Sequence, residues 1–122
     1  MNIFIDGGTI DNKIKSNLKK RIRSAISNIL KERGFRKKSK TLEILGCNID
    51  DFKSHLESKF ENWMNWNNRG LYNGDLNYGW DIDHIIPVSS AKTEKDLLLL
   101  NHYTNLQPLC SKINRDIKKN NI

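Results

Sequence analysis

Asp83 and His84 are neighbours in this chain, and Asn114 follows later. Together they are residue types that can hydrolyse a phosphate ester. Aspartate and asparagine offer hard oxygen donors, which suit a divalent cation such as Mg²⁺ or Mn²⁺. Two protein ligands leave most of an octahedral shell for water and phosphate oxygens, the usual arrangement where phosphate is the substrate. An unperturbed imidazole titrates near ~6.5, so a histidine here can take a proton from water at neutral pH. A base on one side of a phosphate and one cation on the other suffice for hydrolysis, the cation offsetting charge on the leaving oxygen. Singly, these residue types say little. Asp-His pairs are common, and Asn is abundant in this chain. Order and spacing carry the reading.

The elements that must position these groups are legible around them. Trp80-Asp-Ile-Asp-His-Ile-Ile-Pro87 alternates polar and apolar, which predicts a strand closed by Pro87. Neighbours on a strand face opposite sides, so Asp83 can hold a cation from one wall while His84 meets substrate, given a bend at that point. Thr104–Leu109 reads as a second strand with Asn105 at its start. Ser111 can cap a final helix running to about Lys119, with Asn114 near its first turn. Residues 93–100 read as a short helix between the strands.

Upstream the pattern is helical. Asp11 or Asn12 can cap a helix in which Ile14, Leu18, Ile22, Ile26 and Ile29 recur at helical spacing, with Gly34 as its stop. Lys and Arg fill the rest of its surface, and residues 36–40 continue the charge as a loop. Residues 1–10 show no pattern beyond a short strand or a loose end. Thr41–Leu45 reads as a helical turn ending at Gly46. Asn48 caps a further helix, with Asp50 and Asp51 in its first turn and Phe52, Leu56 and Phe60 on its apolar face. Trp63, Met64 and Trp66 extend that face, and His55 between core positions reads as structural or exposed. The Asn- and Gly-rich residues 67–79 read as a loop.

The bulk numbers frame this. A chain of 122 residues suits one compact domain, and a hydrophobic fraction of 37% against 29% charged implies a thin core under a polar surface. No apolar run approaches the roughly 20 residues of a membrane helix. The start lacks the basic flank and long apolar run of a signal peptide, so an intracellular, cytoplasmic protein with no membrane partner is expected. Cys47 and Cys110 make neither a disulfide framework nor an all-cysteine zinc site, and are expected as buried or partly buried thiols. Of the net charge of +7, residues 1–40 hold 12 Lys and Arg against 3 Asp and Glu. So one-sided a distribution points to a polyanion, nucleic acid first, because phosphate neutralisation supplies sequence-independent affinity.

The segment Trp80–Pro87, then Asn101-His-Tyr-Thr-Asn-Leu-Gln-Pro-Leu-Cys110, then Asn114, resembles the HNH endonucleases and their ββα-metal fold. The resemblance extends upstream through Glu43–Phe60, Met64 and Trp66 to small standalone phage and prophage members, and covers about residues 36–119. It implies that His84 is the general base, that Asp83 and Asn114 hold one Mg²⁺ or Mn²⁺, and that Asn105 braces the loop between the strands. With Asn in the last position the motif is of the His-Asn-Asn kind.

The expectation is therefore an α+β domain: a basic helical segment, residues 1–40, packed beside a ββα-metal unit, residues 41–122. DNA is the expected partner. Lys19, Lys20, Arg21, Arg23, Arg36, Lys37, Lys38, Arg115 and Lys118 are its expected phosphate contacts, with little base readout. Asp81, two positions before Asp83, is either a surface carboxylate or an acid that orients a metal-bound water. His102 belongs to the scaffold, Trp80 packs against the strands, and Gln107 and Pro108 shape the strand end. Two rivals stand beside the nuclease: a DNA-binding module of the same fold with a degenerate site, and a basic helical protein that binds RNA or a protein partner. Nicking is the default for one site per chain.

Overall fold

The structure is a computed structural model that describes residues 3–70 and 79–111. Helix α1 runs from Ile3 to Glu32, followed by the short α2 (Thr41–Leu45) and by α3 (Ile49–Glu57). Strand β1 (Trp80–His84), helix α4 (Glu94–Leu99) and strand β2 (Leu106–Cys110) complete the described elements. The strands form one antiparallel pair, with Trp80 opposite Cys110 and His84 opposite Leu106. Mixed helix and antiparallel sheet make this an α+β fold. The helix expected after Ser111 lies outside the described residues.

One apolar cluster joins the elements. Leu18, Ile22, Ile26 and Leu30 recur every fourth residue on α1 and are buried. They meet Ile44 and Leu45 of α2, Phe52 and Leu56 of α3, Leu97 of α4 and Leu106 of β2. The basic helix is thus part of the same core as the strands. Leu30 occupies the last core position on α1, with Ile29 at its flank. A second, aromatic cluster sits at the start of β1: the rings of Phe60, Trp66 and Trp80 lie 4.9 to 5.4 Å apart, centre to centre. The Trp80 indole donates to the Asn65 carbonyl at 2.7 Å, so Trp80 is a packing residue.

Boundaries differ from the sequence reading in several places, one being α3, which ends at Glu57 and leaves Phe60, expected on its apolar face, beyond the helix. Helix α1 begins at Ile3, so neither Asp11 nor Asn12 is its cap. Once the packed turns nucleate a helix, each added residue costs little, and the backbone continues through weak formers such as Gly7 and Gly8. Asp11 instead pairs with Lys15 at 3.0 Å and Lys53 at 3.5 Å. Strand β1 stops at His84, short of Pro87, and leaves Ile85 and Ile86 exposed. Strand β2 starts at Leu106, because Tyr103–Asn105 first make a 3₁₀ turn. Thr93, expected inside the helix over 93–100, is instead its cap, its hydroxyl accepting from the Asp96 N–H. Other signals hold. The Asn48 side chain accepts from the Asp51 N–H. Gly34 and Gly46 take the left-handed φ values, 79° and 84°, that end helices.

Candidate active site

The site lies where β1 runs out. Asp81 and Asp83 fall on one strand face by the two-residue period, while Ile82 and His84 take the other. Ile82 packs against the core. That fixes the register: a slip by one residue would drive the two carboxylates into the apolar cluster. Asp81 and Asp83 are nonetheless 8% and 7% exposed, burial that a carboxylate tolerates only with partners.

Asp83 sits opposite Gln107, whose side-chain amide donates to Asp83 Oδ2 at 3.0 Å. The amide aims the carboxylate, whose two oxygens are hard donors. This donor chemistry fits one ligand of a hard divalent cation. His84 is half-buried, and its Nε2 lies 2.8 Å from Asn101 Oδ1. Asn101 has no exposed surface, and its Nδ2 donates to the Leu97 carbonyl at 2.8 Å. Asn105 closes the turn beyond the strand. Its Oδ1 accepts from the Ile86 N–H at 2.9 Å, while its Nδ2 donates to the carbonyls of Ile86 at 3.0 Å and Leu100 at 2.8 Å. The Ile85 N–H donates to the Asn105 carbonyl at 2.8 Å. One side chain thereby replaces the ladder bonds that a longer strand would have made, which is why β1 ends where it does. The His84 backbone is held at the very edge of the sheet.

Asp81 has a different environment. Arg21 reaches across from α1 and donates to Oδ2 at 3.1 Å. The Arg69 guanidinium stands 3.9 Å from Oδ1, which also accepts from the Ile82 N–H. Arg69 is brought there by a backbone bridge beside Trp80, where the Gly70 N–H donates to the Trp80 carbonyl and the Trp80 N–H to the Asn68 carbonyl. Gly79 allows this approach, since a Cβ on it would lie 2.7 Å from the Gly70 carbonyl oxygen.

The sequence-derived residues are therefore placed as follows. Asp83, His84 and Asn105 come together at the end of β1, with Asp81 on the same strand. Arg21, expected on the DNA surface, is half-buried and turned toward Asp81. Lys19, Lys20 and Arg23 are exposed along α1, as are Arg36 and Lys38 beyond it, and Lys37 is half-buried. Asn114, Arg115 and Lys118 lie outside the described residues. His55 is structural: its Nε2 meets the Leu106 carbonyl at 2.8 Å and its ring stands edge-on to Tyr103. His102 caps the 3₁₀ turn through Thr104. Cys47 is a half-buried thiol whose pKa is pushed up by burial and by the Asp51 charge, and Cys110 is buried in β2.

Sequence reasoning did not single out Gln107 as the partner of Asp83, Asn101 as the partner of His84, or Arg69. A signal existed for two of them. Antiparallel pairing of β1 with β2 sets Gln107 opposite Asp83. Asn101 is the polar end of the run Leu97–Leu100, where a buried amide needs a specific partner. Arg69 comes from an Asn- and Gly-rich stretch whose path no local pattern specifies.

No helix among the described residues is long and apolar enough to cross a membrane. No family model and no solved structure matches the chain. Among curated proteins, an uncharacterised protein of Acanthamoeba polyphaga mimivirus is 33% identical over 107 residues, covering 86% of this chain and 43% of the relative. The chain spans less than half of that relative's length, and what it is similar to is a viral protein.

Proposed function

We propose that this chain is a metal-dependent endonuclease of the HNH type that hydrolyses DNA phosphodiester bonds. The observation that carries the reading is the convergence at the end of β1. A buried carboxylate is held by a neutral amide, a histidine is held by a buried amide, and an asparagine ties off the strand between them. Structural sites rarely need an oriented carboxylate and an oriented imidazole side by side, whereas general-base hydrolysis of a phosphodiester needs both. A fully packed helical binding protein would gain nothing from them.

In the reaction, water attacks phosphorus and its proton passes to His84, the new P–O bond forming as the bond to the leaving sugar oxygen breaks. Asp83 and, by the resemblance, Asn114 would hold one Mg²⁺ or Mn²⁺. When bound, the cation supplies charge stabilisation for the phosphate and the leaving oxygen. Asn105 keeps the turn after His84 from moving. Asp81 is assigned to Arg21 and Arg69, which balance its charge. The exposed Lys19, Lys20, Arg23, Arg36 and Lys38 would meet backbone phosphates, each contact adding to the salt dependence of binding.

The test uses supercoiled plasmid with the purified chain and Mg²⁺ or Mn²⁺. Nicked or linear product is expected, lost with EDTA and lost in His84→Ala, while DNA binding by His84→Ala stays near that of the parent. Salt-sensitive binding with no cleavage under any divalent cation would replace the nuclease with a DNA- or RNA-binding module of the same fold.

A further inference from the structure

Five large apolar side chains are exposed among the described residues, and two of them, Ile85 and Ile86, are consecutive, with 46% and 53% of their surfaces open. A lone exposed apolar residue is ordinary; a neighbouring pair beside a candidate site is not. Had β1 continued, the two-residue period would have turned one of them toward the core face. Asn105 prevents that and fixes the turn. The Ile85 N–H donates to its backbone carbonyl, while the Ile86 N–H and carbonyl both bond its side-chain amide. Pro87 follows with φ at −67°, and isoleucine is stiff at χ1, so little freedom remains to be lost on binding. The pair also has a basic flank. Beyond the end of α1, Arg33 donates to the Val88 and Ala91 carbonyls, both at 3.0 Å, which ties the start of the basic segment 36–40 to the stretch after Pro87.

We propose that Ile85 and Ile86 form a wedge that enters the minor groove of duplex DNA and partly unstacks a base step beside the phosphate to be cut. The inference rests on the nuclease reading, because a duplex that brings a phosphate to His84 meets the next two residues of the chain, consecutive Cα atoms lying only about 3.8 Å apart. The chemistry of this surface selects a duplex over other occupants. Apolar tips beside Lys and Arg match a ligand with anionic edges and a stacked, apolar interior. A second copy of this chain carries the same net charge of +7 and would be repelled. Aliphatic side chains pushed between base pairs from the minor groove kink the duplex and let more of it follow a basic surface. Such a wedge makes no hydrogen bond to a base, so it selects deformable steps and not base identity. Pyrimidine–purine steps unstack most easily, and A-tracts resist.

The test uses the full-length chain in EDTA, so that binding is read apart from cutting. The probes are two short duplexes carrying 2-aminopurine in place of an adenine, one of alternating A·T pairs and the other a continuous A-tract. The fluorescence of the analogue rises when its base unstacks. The parent should raise it several-fold on the alternating duplex and little on the A-tract. Ile85→Ser combined with Ile86→Ser should bind about 10-fold more weakly and give no rise. Its slope of log affinity against log salt should match the parent's, because the phosphate contacts are untouched. Ile86→Leu should keep the rise. Binding by the parent with no rise on either duplex overturns the proposal, as does a double variant whose rise equals the parent's. Self-association of the parent that the double variant loses also overturns it, and gives the surface to a second copy. Should the double variant not fold, the parent's contrast between the two duplexes and the single change Ile86→Ser decide the matter. With Mg²⁺ added to the same duplexes, cleavage without a rise sinks the wedge and keeps the nuclease. A rise without cleavage keeps the wedge as a DNA contact and counts against the nuclease, and a parent that binds neither duplex overturns both.

Discussion

The two ends of β1 bury acidic side chains to nearly the same extent and treat them in opposite ways. At the Trp80–Asp81 end the carboxylate meets two guanidiniums, one from α1 and one from the segment before the strand, beside three packed aromatic rings. At the Asp83–His84 end amides orient the side chains: the Gln107 amide donates to Asp83, the Asn101 oxygen meets His84, and Asn105 ties the turn. Guanidiniums neutralise a buried charge; amides only aim it. The first arrangement fastens the strand to the rest of the molecule. The second orients a carboxylate and an imidazole beside one another, an arrangement with a cost in stability of the kind binding and catalytic sites commonly carry.

Altering the end proposed to carry the chemistry should give the largest effect. Asp83→Asn preserves size and an oxygen donor but removes the negative charge a divalent cation needs. Loss of about 3 kcal/mol of transition-state stabilisation corresponds to about 10²-fold in rate. Plasmid cleavage at saturating Mg²⁺ should therefore fall by that factor or more, with the urea unfolding midpoint unchanged or higher. A variant that cuts normally would remove Asp83 from the chemistry and make both ends of β1 structural.

The reciprocal change belongs at the fastened end. Asp81→Ala strips the shared acceptor from Arg21 and Arg69. Breaking a fully buried pair can cost 3–5 kcal/mol, but the Arg21 side chain is 36% exposed and can turn to water. About 1–2 kcal/mol is the expected loss, read as a lower urea midpoint, with cleavage per folded molecule close to the parent's. Loss of cleavage at unchanged stability would place Asp81 with Asp83 in the proposed chemistry. Gly79→Ala probes the same fastening through the backbone: a Cβ would meet two carbonyl oxygens within 2.9 Å. Overpacking of this sort costs about 1–3 kcal/mol, and the same denaturation series measures it.

The contrast also explains what was legible in the sequence. Periodicity identified the buried stripe of α1 from Leu18 to Ile26, Phe52 and Leu56 of α3, and both strands, because burial leaves a mark on spacing. Caps and stops at Gly34, Gly46 and Asn48 were legible because their chemistry is local. Asp83, His84 and Asn105 were legible through motif and order. The long-range partners were not: Arg21 to Asp81 spans α1 and β1, Arg69 arrives through an irregular stretch, and Asn101 reaches His84 only because α4 packs there. The strand ends were misjudged for a related reason, since the Asn105 side chain substitutes for ladder bonds and alternation alone does not reveal that. The start of α1 followed from propagation out of the packed turns, which leaves no mark on residues 3–10.

The smallest effect concerns the aromatic support of the fastened end. Trp66 packs on Trp80, and its indole donates to Glu57 Oε2 at 2.7 Å, the oxygen that also accepts from Lys53 at 2.7 Å. Partial burial pushes the Glu57 carboxyl up, but the hydrogen bonds from Lys53 and Trp66 outweigh it and hold the group below the ordinary glutamate range. A carboxyl whose folded value is lowered stabilises the fold above its unfolded value, near ~4.3, and loses that contribution as pH falls through the folded value. The Glu57 side chain is 39% exposed, so solvent screening limits the contribution to about 0.5 kcal/mol. Stability of the parent relative to Glu57→Gln should therefore be greatest near neutral pH and shrink below about pH 4. Urea midpoints for the two chains, compared at pH 7 and pH 3.5, check this. A constant difference across that range would show that Glu57 acts through packing, leaving Asp81 with its two arginines as the charged fastening of β1.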